Sequence, residues 1–305
     1  MEAPNTSLAP EALRFALYNR FLKGEAKVPQ MPESLLRVRR LLNDPHASLE
    51  RLARTINSDP PLTAWLMQYA ESPLLLGFRP CTSLRDILSR LGTRRLHNLV
   101  LCFGMRNLFI GKEPALQRVF RARWKAALER AAYAAALAEA SGLAEVDDAL
   151  LAGLLQDVGS LPLLAELERW PQKPRGEAAL HELCEHLSGD VGVVVMTVWK
   201  LPTVMIECAR HRRNWPREHI GKADLADLVQ VASHLAAPVD EQPLATLPAF
   251  QRLRETCPGL PRDPSQLVET LVDGLARWRL LLGSRMSVSP GAAPGNGSAP
   301  FLPRA

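Results

Sequence analysis

Apolar residues along this chain recur three and four positions apart, and two-residue alternation is nearly absent. That periodicity limits the fold to packed helices. Helix punctuation agrees with it. Ser48 precedes "LERLARTI", and Asp59 is followed by Pro60 and Pro61 at the first helical positions. Ser83 and Asp86 are spaced as a capping box, and Asp263-Pro264 open "SQLVETLVDGLARWRLLLG". Gly142 and Gly283 stand where helices should stop. About a dozen helices in an all-α protein are expected, and 305 residues are enough to bury a substantial core.

Residues 1–27 hold one amphipathic helix, roughly 9–23, as an N-terminal extension. Residues 238–263 carry several prolines and read as a loop-rich stretch. The last helix puts Leu267, Leu271, Leu275, Trp278 and Leu282 on one face, which should pack on the core or dock a partner. The segment 284–305, rich in Pro, Gly, Ala and Ser, should be disordered, because it has too little apolar surface to offset ordering. "VGVVVMTVW" (191–199) falls well short of the ~18 apolar residues of a membrane span and reads as a buried helix. The start of the chain lacks an apolar h-region. Five cysteines are scattered without a C-x-x-C, so reduced thiols and a cytoplasmic setting are expected.

The net charge of +5 permits contact with nucleic acid but does not call for it. Residues 48–70 resemble a helix-turn-helix, yet the second helix begins Pro60, Pro61, Leu62, Thr63 and has no side chain suited to reading base edges. "LGTRRLHNLVL" (91–101), with Arg94, Arg95 and His97, reads as the polar face of a long core helix. "HELCEH" (181–186) fails as a zinc motif, because His181 and His186 are five apart and face different ways. No P-loop or dinucleotide-binding glycine pattern is present. "RHRRNWPREH" (210–219) is a denser cluster. Arg210, Arg212, Arg213, Trp215 and Arg217 there could form a basic patch for an acidic protein surface, a nucleotide phosphate or RNA, or a solvated loop.

One stretch stands apart. "GLLQDVGSLPLL" (153–164) is otherwise core-like, yet it sets Gln156 and Asp157 at the end of an apolar helix. A carboxylate there faces the negative end of the helix dipole, so Asp157 needs another reason for its place.

Several segments supply that reason in combination: "VPQMPESLLRVRRLLNDPHASLERLARTINSDPPLTAWLMQYAESPLL", "TSLRDILSRLGTRRLHNLVL", "LLAGLLQDVGSL", "GDVGVVVMTVWKLP" and "LVQVASHLA". In this order and spacing the chain resembles the HDOD family, a branch of the HD superfamily found in bacterial signalling proteins. The resemblance spans residues 28–237. It implies an HTH-like helical layer leading into a degenerate HD-like helical bundle; the loop and C-terminal helices over 238–283 lie beyond it and should pack on the core.

The resemblance also places the metal-ligand columns of HD phosphohydrolases. The His-Asp doublet that names the superfamily falls on Gln156 and Asp157. The other columns fall on Ala126, Ser188, Arg212 and Arg213 (or His211 after a one-residue slip) and Ser233. Only Asp157 keeps a ligand. One carboxylate cannot hold a two-metal hydrolytic centre, and an arginine repels a divalent ion. No catalytic residue, metal or cofactor is therefore expected. Asp157 should pair with Arg212 or Arg213, since a lone buried carboxylate is costly; otherwise the arginines are solvated and Asp157 caps a neighbouring helix. The implied role is a non-catalytic regulatory protein that binds signalling proteins not named by the sequence. The alternatives are a metal-dependent phosphohydrolase acting on a nucleotide and a nucleic-acid-binding regulator using the basic patch.

Overall fold

The computed structural model describes residues 10–31, 33–42, 44–70, 83–105, 112–170, 173–174, 176–238 and 242–283. Among them are thirteen α-helices and one 3-10 turn, with no strand. The protein is all-α. The segment 284–305, expected to be disordered, and Cys81 lie outside the described residues. The other four cysteines are free and buried.

The first helix, α1 (Pro10–Leu22), buries Leu13, Leu17 and Phe21. A small helical layer follows: α2 (Glu33–Leu42), α3 (Leu49–Asn57), α4 (Pro60–Ala70) and α5 (Leu84–Met105). Ser48 caps α3 by accepting from the Arg51 amide at 3.2 Å, and Asp59 Oδ1 accepts from the Leu62 amide at 3.1 Å to start α4. Ser83 and Asp86 exchange two hydrogen bonds of 3.0 and 3.1 Å at the head of α5. In α4, Leu62, Trp65, Leu66 and Tyr69 face inward, so this helix is scaffold. The long helix expected through "LGTRRLHNLVL" is interrupted. Gly92 has φ +71, a conformation open to glycine and strained for other residues, and it breaks α5 in two.

The main bundle is organised around α6 (Pro114–Ser141), which packs on α7 (Val146–Leu155), on α11 (Leu225–Ala236) and on α13 (Pro264–Gly283). Alanines at 127, 131, 134, 135 and 138 are buried along α6. With no side chain beyond Cβ they let α7 approach closely, so that a Cβ on Gly153 would sit 3.0 Å from the Ala131 backbone. Gly142 ends α6. The short α8 (Ser160–Leu167) leads to α9 (Glu177–Val198), which packs on α8, on α1 and on α10 (Thr203–Arg210). The small layer meets the bundle where α5 touches α7. There Arg95 pairs with Asp147, and Asn98 Nδ2 donates to Asp148 Oδ1 at 2.7 Å. Trp199 Nε1 also donates to the Pro29 carbonyl at 2.9 Å.

Two expectations change. The stretch after residue 238 is not all loop: it contains a 3-10 turn and α12 (Pro248–Thr256), because Pro248 suits the first turn of a helix and Ala249, Phe250 and Leu253 reach the core. And Val146–Leu167, 22 residues, is by length and composition apolar enough to cross a membrane. It is almost wholly buried and spans α7, a turn and α8, so in this fold it is core. The stripe of α13 buries Leu267, Leu271, Leu275, Trp278 and Leu282 against the bundle.

Candidate functional site

The end of α7 lies at the floor of a cavity of about 390 Å³. The walls are Arg123, Ala126 and Arg130 from α6, Gln156 and Asp157, His181 and Glu185 from α9, Arg212, Arg213 and Trp215 after α10, and Ser233 from α11. Most of the columns implied by the resemblance therefore meet in space. Ser188 joins them by donating its hydroxyl to Asp157 Oδ1. His211 is the exception: it points to Glu207, with Nε2 3.1 Å from Oε2. Arg212 is the residue of that triplet that enters the floor.

Asp157 is 6% exposed and is held by cations. Arg123 Nη2 donates to its Oδ1 at 2.6 Å, and Arg212 Nε lies 3.2 Å from the same oxygen. Burial alone would push the Asp157 carboxyl up. Arg123, Arg212 and Arg130 outweigh it and hold the group well below the usual carboxylate range. Asp157 does not cap a helix with its carboxylate. Glu185 spans the two guanidiniums from above, its Oε1 accepting from Arg123 Nη1 and from Arg212 Nη2, both at 2.9 Å. Burial raises the Glu185 carboxyl, and Arg212 and Arg123 bring it below its ordinary value.

Gln156 and Ser233, which stand in two ligand columns, contact each other at 2.8 Å. Ser233 Oγ is also 2.7 Å from the Val229 carbonyl. A hydroxyl has one proton, so with that proton given to Val229 the Gln156 amide is better turned to donate Nε2 to Ser233 Oγ. Two lost ligands have thus become a hydrogen-bonded pair.

Arg123 and Arg130 are site residues that the sequence reading missed. Both are buried on α6, at 5% and 7% exposure. They sit at i and i+7 with Ala126 between them on one helical face, the face of the missing histidine. That spacing is the signal that could have found them.

A divalent cation does not fit this donor set. Ala126 offers no ligand atom, Gln156 and Ser233 are turned on each other, and the floor carboxylate is already neutralised by guanidiniums that would repel a metal. A second cluster has metal-like composition: the ligand atoms of His219, Asp224 and Asp227 lie within 4.8 Å of one another. Arginines occupy it as well. Asp227, fully buried, accepts from Arg217 Nη1 at 2.9 Å, from Arg252 Nη2 at 2.6 Å and from His219 Nε2 at 2.8 Å. Asp224 takes Arg217 Nη2 at 2.6 Å and forms the capping box of α11 with Asp227. Two guanidiniums balance two carboxylates, and the cluster is a brace.

That brace corrects one expectation. The five residues of the anticipated basic patch do not form one exposed surface. Arg217 is consumed by Asp224 and Asp227, Arg212 is buried at the floor, and Arg210 pairs with Glu207 at 3.0 Å. Arg213 and Trp215 face the cavity.

The fold is shared with solved structures. A Shewanella amazonensis SB2B protein, assigned by inference in its name to the metal-dependent phosphohydrolases, superposes with a TM-score of 0.77 at 22% identity over 89% of this chain and 98% of its own. An HDOD domain protein of unknown function from Geobacter sulfurreducens gives 0.61 at 24% identity over 88% and 98%. A Marinobacter aquaeolei VT8 protein, named by inference for signal transduction, gives 0.56 at 20% identity over 92% and 66%. At these identities the likeness is one of fold. Among curated sequences, an uncharacterized protein of Treponema pallidum (strain Nichols) is 23% identical over 199 residues, which is 62% of this chain and 38% of that protein. The chain thus spans well under half of that relative's length. The family model described as HDOD domain matches residues 28–215. With more than half of its length inside that match and its helices in the same architecture, the chain belongs to the HDOD domain family.

Proposed function

We propose that this protein is a non-catalytic regulatory HDOD protein that acts by binding other proteins. The observation that carries the reading is the pairing of Asp157 with Arg123 and Arg212 where a metal centre would need anionic and imidazole ligands. Family membership and a fold shared with a protein named for signal transduction support the same reading. The partner would sit on a helical surface. Val268 and Val272 on the outward side of α13, 41% and 53% exposed, offer apolar area one turn apart.

The test combines chemistry and contact. Purified protein is dialysed against manganese and iron, assayed for bound metal, and given generic phosphomonoesters and phosphodiesters. No stoichiometric metal and no turnover are expected. A photo-crosslinking residue at Val272, used in the native host, should capture a discrete protein, and adding Val268→Glu should abolish that capture without lowering the melting temperature. Metal at one equivalent with hydrolysis that Asp157→Ala eliminates would overturn the reading in favour of a phosphohydrolase.

A further inference from the structure

Arginine outnumbers acid in the cavity above Asp157. Arg123, Arg130, Arg212 and Arg213 line it, against the carboxylates of Asp157 and Glu185. Asp157 Oδ1 is taken by Arg123, Ser188 and Arg212. Arg130 is left over. Its Nε donates to the Gly153 carbonyl at 2.7 Å, while its Nη2 is buried with no hydrogen-bond partner. Among the described residues no carboxylate lies within ion-pair distance of it. Burial lowers its pKa to about 10, so it remains a cation at neutral pH. A buried guanidinium without a dedicated anion and with an unmade donor is costly to keep. It stands in the wall of a cavity large enough for a small molecule.

Glu185 indicates what belongs there. Its side chain is 44% exposed and reaches in from the rim to bridge Arg123 and Arg212. A carboxylate held at the mouth by two guanidiniums is the position an incoming anion would take, and a half-exposed glutamate can rotate out of it.

We propose that the cavity binds the phosphate group of a small phosphorylated molecule, with Arg130, Arg123 and Arg212 as its donors and Glu185 as the resident anion it displaces. Guanidiniums reaching the site from two positions on α6 and from the segment after α10 suit the several oxygens of a tetrahedral phosphate better than the two oxygens of a planar carboxylate. The cavity is larger than a phosphate alone needs, and Trp215 in its wall supplies apolar area for the rest of a phosphomonoester. The residues that exclude a cation are thus the ones that select an anion. No bond is made or broken, so this binding is independent of whether the protein docks on a partner.

The experiment is calorimetric titration of the full chain with inorganic phosphate, ribose 5-phosphate and adenosine 5′-monophosphate, with adenosine as the phosphate-free control, at physiological salt. Saturable binding of the monoesters, weaker binding of inorganic phosphate and none of adenosine are expected. Glu185→Gln removes the internal competitor and should tighten monoester binding by about threefold or more. Arg130→Met should weaken it by about tenfold or more, and Arg130→Lys, which keeps the cation, should recover part of that loss. A purely structural arginine would leave the affinity of the folded variants unchanged. Saturation by inorganic phosphate with no gain from either monoester would assign the site to free phosphate. No saturable heat from any phosphate probe at millimolar concentration, or equal binding by wild type and Arg130→Met, would overturn the proposal.

Discussion

Gly159 lies directly against Ser188: a Cβ placed on it would be 2.2 Å from the Ser188 carbonyl oxygen and 2.4 Å from the Gly192 amide nitrogen. Both obstacles are backbone, so neither can rotate away. The contact brings the start of α8 onto α9 and sets the Ser188 hydroxyl on Asp157. Gly159→Ala must therefore push two helices apart at the floor of the cavity. A loss of at least 3 kcal/mol is expected, on the order of the larger core-overpacking costs, read as the urea midpoint against wild type. A variant of unchanged midpoint would show that α8 and α9 are not locked there.

Asp157→Asn tests the electrostatics of the same floor. The amide is nearly isosteric, but it leaves Arg123 and Arg212 without their shared buried anion. Breaking a buried pair by removing one partner costs about 3–5 kcal/mol, and that is the expected loss. A second variant, Asp157→Asn with Arg123→Met, should recover part of it because one stranded charge is removed. Additive losses in this double-mutant cycle would mean that the two side chains do not interact.

Acid should unfold the protein through these carboxylates. Asp157, Glu185, Asp224 and Asp227 all have folded pKa values below their ordinary ones. In each case burial works to raise the value and the neighbouring cations and hydrogen bonds outweigh it. A depressed folded pKa contributes stability that is complete above the unfolded pKa near 4 and is lost as pH falls toward the folded value. Asp147 and Asp190, raised chiefly by burial, run the opposite way. With the depressed group larger, the urea midpoint should decline gently from neutral pH to about 5, because burial lowers the pKa values of His97 and His211 and the unfolded chain takes up their protons first, and it should fall steeply below about 4 as the paired carboxylates protonate. A midpoint that rises on acidification would contradict the pairing.

What was readable from sequence was local. Ser48, Asp59 and the Ser83/Asp86 pair act within four residues, and each cap forms where the spacing predicts it. The stripe of α13 is a repeat along one helix, and it is buried. Asp157 was legible because a carboxylate ending an apolar helix breaks a local rule. Arg123 and Arg130 were not, because an arginine in an alanine-rich helix looks the same whether solvated or buried. Its status depends on Asp157, 34 residues away, and on Glu185, 62 residues away. The apparent basic patch failed for the same reason: the sequence shows five neighbours, while the fold draws Arg212 to Asp157 and Glu185 and Arg217 to Asp224 and Asp227. The break at Gly92 is a backbone conformation that periodicity does not report, and the helix after Pro248 was decided by Ala249, Phe250 and Leu253 reaching the core.

Lys200 has φ +53, and it is the non-glycine residue with positive φ among the described residues. It follows the C-terminus of α9, where the Lys200 amide donates to the Thr197 carbonyl at 2.9 Å and Arg39 Nη2 donates to the Lys200 carbonyl at 2.9 Å. Those bonds fix the left-handed turn that an L-residue adopts at a cost of roughly 1–2 kcal/mol. Glycine takes the same conformation without the Cβ clash, although it has more unfolded-state entropy to lose. The bonds involve only the backbone of Lys200, so they survive its replacement. Lys200→Gly should therefore raise stability by about 0.5–1 kcal/mol, seen as a higher urea midpoint with unchanged slope. Lys200→Val, with a β-branched chain in the same turn, should lower it by a similar or larger amount. If both variants lose stability equally, the lysine side chain rather than the backbone conformation holds the turn.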